Sequence, residues 1–350
     1  MATDAARGAP TTRGVRLHAD GLRVEEVPIP RPGPHDVLVA VQAAGVGGLE
    51  AALATGAAGS PDLPLVIGRE AAGVVADTGG AVDDWRIGDR VAVLPDRVCG
   101  VCPMCTGGRE NLCVSRGLAG IDVDGVLSGF VAVDADRLVP VPHGIGFPVA
   151  CLVPDAVGAP YHALKRAGVG DGSTVVVVGV GAVGLHAVQL ATLAGAEVVA
   201  VDPDPQALQR AGVWGAHLVD ATATDPVRSV RELTEGGADR VLDAAGDPSA
   251  LTTAVGCVAP GGRVVLVAGG GGDLRDLDAH TLVTRELEVV GSYGATAQDV
   301  GELFDLLEEG RLDLTSSVTH TTDLDGVPEV VRRHQGEGPR AVRTVVTDLS

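Results

Sequence analysis

The segment TVVVVGVGAVG, residues 174–184, constrains the fold more than any other part of the chain. Four consecutive valines make a strand that is apolar on both faces, which only a sheet covered on both sides can bury. The strand runs into Gly179-x-Gly181-x-x-Gly184, and an apolar-periodic helix, AVGLHAVQLATLAG, begins at once. In that setting each glycine has a physical reason. Gly179 permits a tight turn, Gly181 lets a phosphate approach the backbone, and Gly184 lets the helix pack closely on the strand. The free N–H groups of the first helical turn, which starts at Ala182 and Val183, then face an anion.

The next strand, EVVAVD, ends at Asp202, 18 residues after Gly184. That is close to the spacing at which a carboxylate meets the adenosine ribose of a bound dinucleotide. A 2′-phosphate would be repelled there, so NAD(H) is favoured over NADP(H). The alternative is a glycine-rich turn in a flavodoxin-like sheet that holds no cofactor, with Asp202 serving as a helix cap.

Apolar strands alternate with helical patterns from Pro154 to about residue 292, which predicts a doubly wound parallel sheet, an α/β domain over 155–292. Residues 1–154 read differently. Short β-branched runs such as VRLHA, LRVEEV and DVLVAVQAAGV are broken by Pro and Gly, as antiparallel strands would be. Residues 293–350 are assigned back to this β-rich domain. The start, MATDAARGAPTTR, reads as a short disordered arm without the apolar core of a signal peptide.

Composition narrows the partners. The formal charge of −20 argues against nucleic acid and against an anionic membrane surface. Every apolar run is too short to span a bilayer, which takes about 20 residues. A cytoplasmic protein with a small-molecule substrate is expected, and there cysteines stay reduced or bind metal. Cys99, Cys102, Cys105 and Cys113 fall close together with spacings suited to a closed tetrahedral zinc site, which organises a loop and does no chemistry. Reduced or disulfide-bonded cysteines are the alternative. Cys151 and Cys257 lie in apolar surroundings and read as core residues.

Taken together, EVPIPRPGPHDVLVAVQAAGV, PLVIGREAAGVV, RIGDRVAV, the four-cysteine lobe, PYHALKRAGVGDGSTVVVVGVGAVG and DAAG…APGGRVVLVAG occur in the order of a known family. The chain resembles the medium-chain dehydrogenase/reductase superfamily, in its zinc-containing alcohol dehydrogenase branch, from about Gly14 to Asp348. The resemblance implies a GroES-like substrate domain beside a Rossmann domain, and a structural zinc on the four cysteines. It also implies a homodimer or homotetramer paired along the sheet edge around RVVLVAG and LEVVGSYG.

At the catalytic metal the chain departs from the family. Gly47 stands where relatives carry a cysteine ligand, and Leu49 where they carry the hydroxyl of a proton relay. The family's Gly-His-Glu reads Gly68-Arg69-Glu70, so arginine replaces the histidine ligand, and Asp155 falls at the third ligand position. Glycine has no donor atom, and a guanidinium offers no lone pair. One structural zinc per chain and no catalytic zinc are therefore expected, unless Glu50, Glu70, Asp155 or Cys151 supply a shifted ligand set.

Arg69 is the expected replacement for the metal's charge. It either bridges to Asp155 or Glu70 or stabilises a developing oxyanion. Glu50, Glu70 and Asp155 are candidate proton donors or bases. Tyr161 and His162 are expected near the cofactor in a packing role. Without a Lewis acid, hydride addition to a conjugated C=C bond (enone, iminium or polyene, including reductive cyclisation in specialised metabolism) makes the smaller demand. The competing readings are an alcohol dehydrogenase or carbonyl reductase, and a non-catalytic NAD(H)-binding protein.

Overall fold

A computed structural model describes residues 10–59, 61–268, 277–337 and 342–350. The chain divides into two compact units, 1–155 with 296–350, and 156–295.

In the first unit, β1 (Thr11–His18) pairs antiparallel with β2 (Gly21–Pro28) and with β4 (Leu65–Val66). Thr11, Thr12 and Arg13 are therefore strand residues and not part of a disordered arm: their backbone groups pair with Pro28, Val27 and Glu26. Of the expected arm, residues 1–9 lie outside the described residues.

The main sheet runs through β3 (Asp36–Val46), β5 (Glu70–Thr78), β6 (Arg90–Val93) and β10 (Leu138–Pro140) on one side. The tail contributes β17 (Val318–Asp323) and β18 (Arg343–Asp348) on the other, and β9 (Phe130–Asp134) also pairs with β3. Inward valines and alanines, among them Val39, Val41, Ala71, Val91, Val93 and Val346, close its core. A short hairpin of β7 (Asp96–Arg97) and β8 (Gly117–Leu118) carries the cysteine lobe between its strands.

Register sets what meets what at the end of β3. Gly45 pairs with Glu70 on one side, while Val345 pairs with Gly45 and Thr344 with Val46 on the other. Continuing the antiparallel count by one residue puts Arg343 across from Gly47. The C-terminal tail thus delivers an arginine to a strand more than 290 residues upstream.

The second unit is a six-stranded parallel sheet in the order β13-β12-β11-β14-β15-β16. The strands are β11 (Thr174–Val178), β12 (Glu197–Asp202), β13 (His217–Asp220), β14 (Ala238–Asp243), β15 (Val258–Leu266) and β16 (Glu288–Gly291). Three of its helices begin with Asp-Pro: Asp204, Asp225 and Asp247 each accept hydrogen bonds from backbone N–H groups of the first turn, and proline follows as the first helical residue. Strand order reverses between β11 and β14, the switch point where ligands bind in open α/β sheets. Gly269, the last residue of RVVLVAG, lies outside the described residues.

Candidate active site

At the end of β11, Gly179 has φ +85°, and a Cβ there would lie within 3.0 Å of the Ala245 backbone. A Cβ on Gly184 would meet the carbonyl oxygen of Gly179, so helix Ala182–Leu193 packs directly on the turn. Gly181, the N-cap of that helix, is different: a Cβ there would meet nothing within 4 Å. Its openness leaves room for a ligand against the first-turn N–H groups of Ala182 and Val183. Asp202 ends β12, its Oδ2 accepting from Val180 N at 2.6 Å and its Oδ1 from Asp204 N at 2.8 Å. These bonds fix the carboxylate beside the turn, where it could hold a ribose. Tyr161 and His162 sit in the same unit on helix Gly158–Ala167, and Lys165 Nζ lies 5.4 Å from the centroid of the Tyr161 ring.

In the other unit the expected catalytic residues gather at the end of β3. Glu50 is buried in helix Gly48–Ala54, and its Oε2 accepts from Gly47 N at 2.8 Å, which closes the helix start. Its visible use is capping. Arg69 Nη2 donates to Asp155 Oδ2 at 2.7 Å. Asp155 reaches it from a single π-helical turn, Val153–Val157, the kind of irregularity that re-aims a side chain. Of the two bridges expected for Arg69, the ion pair is with Asp155.

Glu70 takes a different arginine. Its Oε1 accepts from Arg343 Nη2 at 2.7 Å, and both side chains are at most one-tenth exposed. Its Oε2 is buried without a hydrogen-bond partner. A Cβ on Gly45 would press against that oxygen, so glycine at 45 makes the carboxylate's room. Burial pushes the Glu70 carboxyl up to about 8. Arg343 opposes the shift, while Asp155 and Glu50 add to it. Beside it, the fully buried Cys151 thiol is held well above its usual range by burial and by the Glu70 charge.

Arg343 escaped the sequence reading. The available signal was a lone arginine within AVRTVV, an apolar strand pattern in which a charge needs a buried partner. A Cβ on Gly47 would fall within 3.0 Å of Arg343 Nη1. The guanidinium therefore occupies the place where a side chain at 47 would begin.

The cysteine lobe is ordered around four convergent sulfurs. The Sγ atoms of Cys99, Cys102, Cys105 and Cys113 all lie within 4.8 Å of one another. Cys102 and Cys105 are 3.5 Å apart and Cys99 and Cys113 are 3.6 Å apart. Zn–S bonds of about 2.3 Å in a tetrahedron require sulfurs about 3.8 Å apart, so the set fits zinc. Backbone N–H groups of Cys99 and Ser115 point at the Cys113 sulfur, at 3.3 and 3.4 Å. Backbone N–H donors bring the Cys102 thiol down to about 6, which favours the thiolate that zinc needs.

Residues 33–143 match the family described as alcohol dehydrogenase GroES-like domain, and residues 182–309 that described as zinc-binding dehydrogenase. The chain belongs to the medium-chain dehydrogenase/reductase superfamily, as an NAD(P)-binding oxidoreductase of the zinc-type alcohol dehydrogenase branch. It is 34% identical to an L-threonine 3-dehydrogenase of Symbiobacterium thermophilum, over 97% of this chain and 99% of that protein. It is 30% identical to a sorbitol dehydrogenase of Bacillus subtilis, over 89% and 90%. Among solved structures, a protein of Sinorhizobium meliloti named a zinc-binding dehydrogenase, with NADP bound, superposes with a TM-score of 0.88. It is 31% identical, with 97% of this chain and 99% of that one covered.

The family implies a second, catalytic zinc, and the residues present do not fit it. Position 47 has no donor atom and its space holds the Arg343 guanidinium. Position 69 is a guanidinium bound to Asp155, the ligand position that still carries a donor. Two permanent cations repel a divalent ion where three ligands should attract one. Among the described residues, the four cysteines are the group of convergent metal-ligating side chains.

Proposed function

We propose that this chain is an NAD(P)H-dependent reductase that works without a catalytic zinc and delivers hydride to a conjugated C=C bond of an enone, iminium or polyene. The carrying observation is the Arg343 guanidinium in the space of a residue-47 side chain, with Arg69 held by Asp155 at 2.7 Å. Bound NAD(P)H supplies the hydride. The turn Gly179–Gly184 and the first N–H groups of its helix hold the pyrophosphate. Asp202 holds the ribose, so NADH is preferred. One zinc sits on the four cysteines as a structural ion, and copies of the chain pair along the β16 edge.

Reducing a carbonyl directly, or oxidising an alcohol, places full charge on one oxygen, and relatives meet that demand with zinc. A conjugated acceptor spreads the charge before a proton arrives. Burial pushes the Glu70 carboxyl up to about 8, so it carries a proton near neutral pH, and its Oε2 has no hydrogen-bond partner. Arg69 neutralises Asp155 and steadies the strand that carries Glu70. The names of the relatives favour a second reading, reduction of a ketone or oxidation of a secondary alcohol with an arginine as electrophile.

Two measurements separate these. Metal analysis of the purified protein should give one zinc per chain; two would overturn the proposal. NADH consumption should be supported by 2-cyclohexenone, with saturated cyclohexanone as product and no turnover of cyclohexanone itself. Faster turnover of the ketone establishes the second reading, and a failure to consume NADH with any acceptor establishes a binding protein.

A further inference from the structure

The last strand of the main sheet, β17, runs parallel to β18 and falls out of step with it at one residue. Val318 pairs with Arg343 and His320 with Thr344, so Thr319 is an extra residue on β17. Such bulges are rare between parallel strands, and they bend the backbone and re-aim side chains beside them. The side chain beside this one is Arg343, the arginine that reaches Glu70.

Thr319 secures the irregularity itself. Its Oγ1 accepts from Val342 N at 3.0 Å and donates to the Arg343 carbonyl oxygen at 3.1 Å. One hydroxyl thus holds the backbone before and after the Arg343 Cα, a task that needs a short side chain able both to accept and to donate. On the other side of β18, Arg343 falls across from Gly47. Gly45, two residues earlier on the same face of β3, pairs with Glu70. The two glycines leave that face of β3 bare, and above it the side chains from β18 and β5 meet at 2.7 Å. There is little slack, since a Cβ at 45 would strike Glu70 Oε2 and one at 47 would strike Arg343 Nη1.

We propose that Thr319 is a positioning residue of the active site: its hydroxyl fixes the bulge that aims Arg343 over Gly47 and onto Glu70. Of the charges around Glu70, Arg343 on β18 pulls most strongly toward the carboxylate form. Arg69, beside it in sequence, adds a smaller pull, while Asp155 from the π-helical turn and Glu50 from helix Gly48–Ala54 push the other way. The neighbouring Cys151 thiol stays neutral, because burial raises it well above its usual range. Loosening the bulge lets Arg343 withdraw from Glu70, which then keeps its proton to higher pH. The proposal rests on the reading of this cluster as the reaction centre and is independent of which acceptor takes the hydride.

The test uses the intact, zinc-loaded protein. Unfolding free energy in urea is followed from about pH 5 to about pH 10 for each protein and for the same protein carrying Glu70→Gln. The difference between the two curves falls with pH and levels off where folded Glu70 loses its proton, so the break marks its midpoint. Thr319→Val, which keeps the shape and removes the hydroxyl, should move the break up by about half a pH unit or more. Thr319→Ser should leave it where the parent has it. Arg343→Met should move it up further, and adding Thr319→Val to Arg343→Met should move it no more. Thr319→Ala carries the same expectation as the valine variant and serves if that variant does not fold. An unmoved break, a serine variant that behaves like the valine one, or a further shift in the double variant would each overturn the proposal. So would a general loss of stability with the break in place, which would leave Thr319 as a plug in the bulge and nothing more. Because no turnover is measured, failure here is distinguishable from failure of the proposed reaction.

Discussion

Arg69 and Asp155, 86 residues apart, form a 2.7 Å ion pair in which both side chains are at least four-fifths buried. Removing one member of such a pair strands the other, which typically costs about 3–5 kcal/mol when burial is complete and less at this exposure. Arg69→Ala should therefore lower unfolding free energy by about 2 kcal/mol in urea titrations, and Asp155→Asn by a similar amount. The double variant should cost less than the sum. Turnover of the folded Arg69→Ala protein should stay within about threefold of the parent. A loss of turnover with unchanged stability would instead place Arg69 at the reacting oxygen.

Glu70 gives the chain a pH signature. Its carboxyl titrates near 8 in the folded protein, against 4.5 as the ordinary value, because burial disfavours the charged form. The folded state thus binds one proton more than the unfolded state between those values. Stability from this group is fully present below about pH 4.5 and is lost as pH rises toward 8. The slope approaches 1.4 kcal/mol per pH unit. Glu70→Gln should flatten that part of the stability curve, measured by denaturant unfolding at pH 5, 6, 7 and 8. An unchanged slope in the variant would assign the proton elsewhere.

The cysteine lobe should behave as a structural clip. Cys105→Ser, or dialysis against a strong chelator under reducing conditions, should remove one zinc per chain and lower stability by on the order of 3 kcal/mol. Readdition of zinc should restore the chelated parent. Elemental analysis alongside thermal melts reads both effects, and full stability after complete loss of zinc would refute the role.

On the proposed reading, Asp202 sets the cofactor choice. Replacing it with glycine removes the negative charge from the place a 2′-phosphate would take, so KM for NADPH should fall at least tenfold while that for NADH rises. Asp202 also accepts from Val180 N, so some loss of stability accompanies the change. Equal KM shifts for both cofactors would show that the carboxylate only shapes the turn.

The nucleotide-binding half was readable in the sequence because its logic is local. The valine strand, the three glycines and the Asp-Pro caps each act within a few residues of themselves. The cluster at the end of β3 was readable only in part. Gly47, Arg69, Glu70 and Asp155 could be found by position, but Gly47 looked like a missing donor when it is also vacant volume. What fills the volume is Arg343, and its placement depends on the register between β3 and β18, a relationship across almost the whole chain.

The guanidinium opposite Gly47 also bears on ancestry. A lineage drifting back toward metal chemistry would have to regain a thiolate at 47, but that first step drives a side chain into Arg343. Withdrawing Arg343 first abandons Glu70, and regaining histidine at 69 first abandons Asp155. Each single substitution toward a metal-ligand set therefore disturbs one of these two arginine–carboxylate pairs, so the ligands could not be introduced one at a time without loosening the cluster at the end of β3.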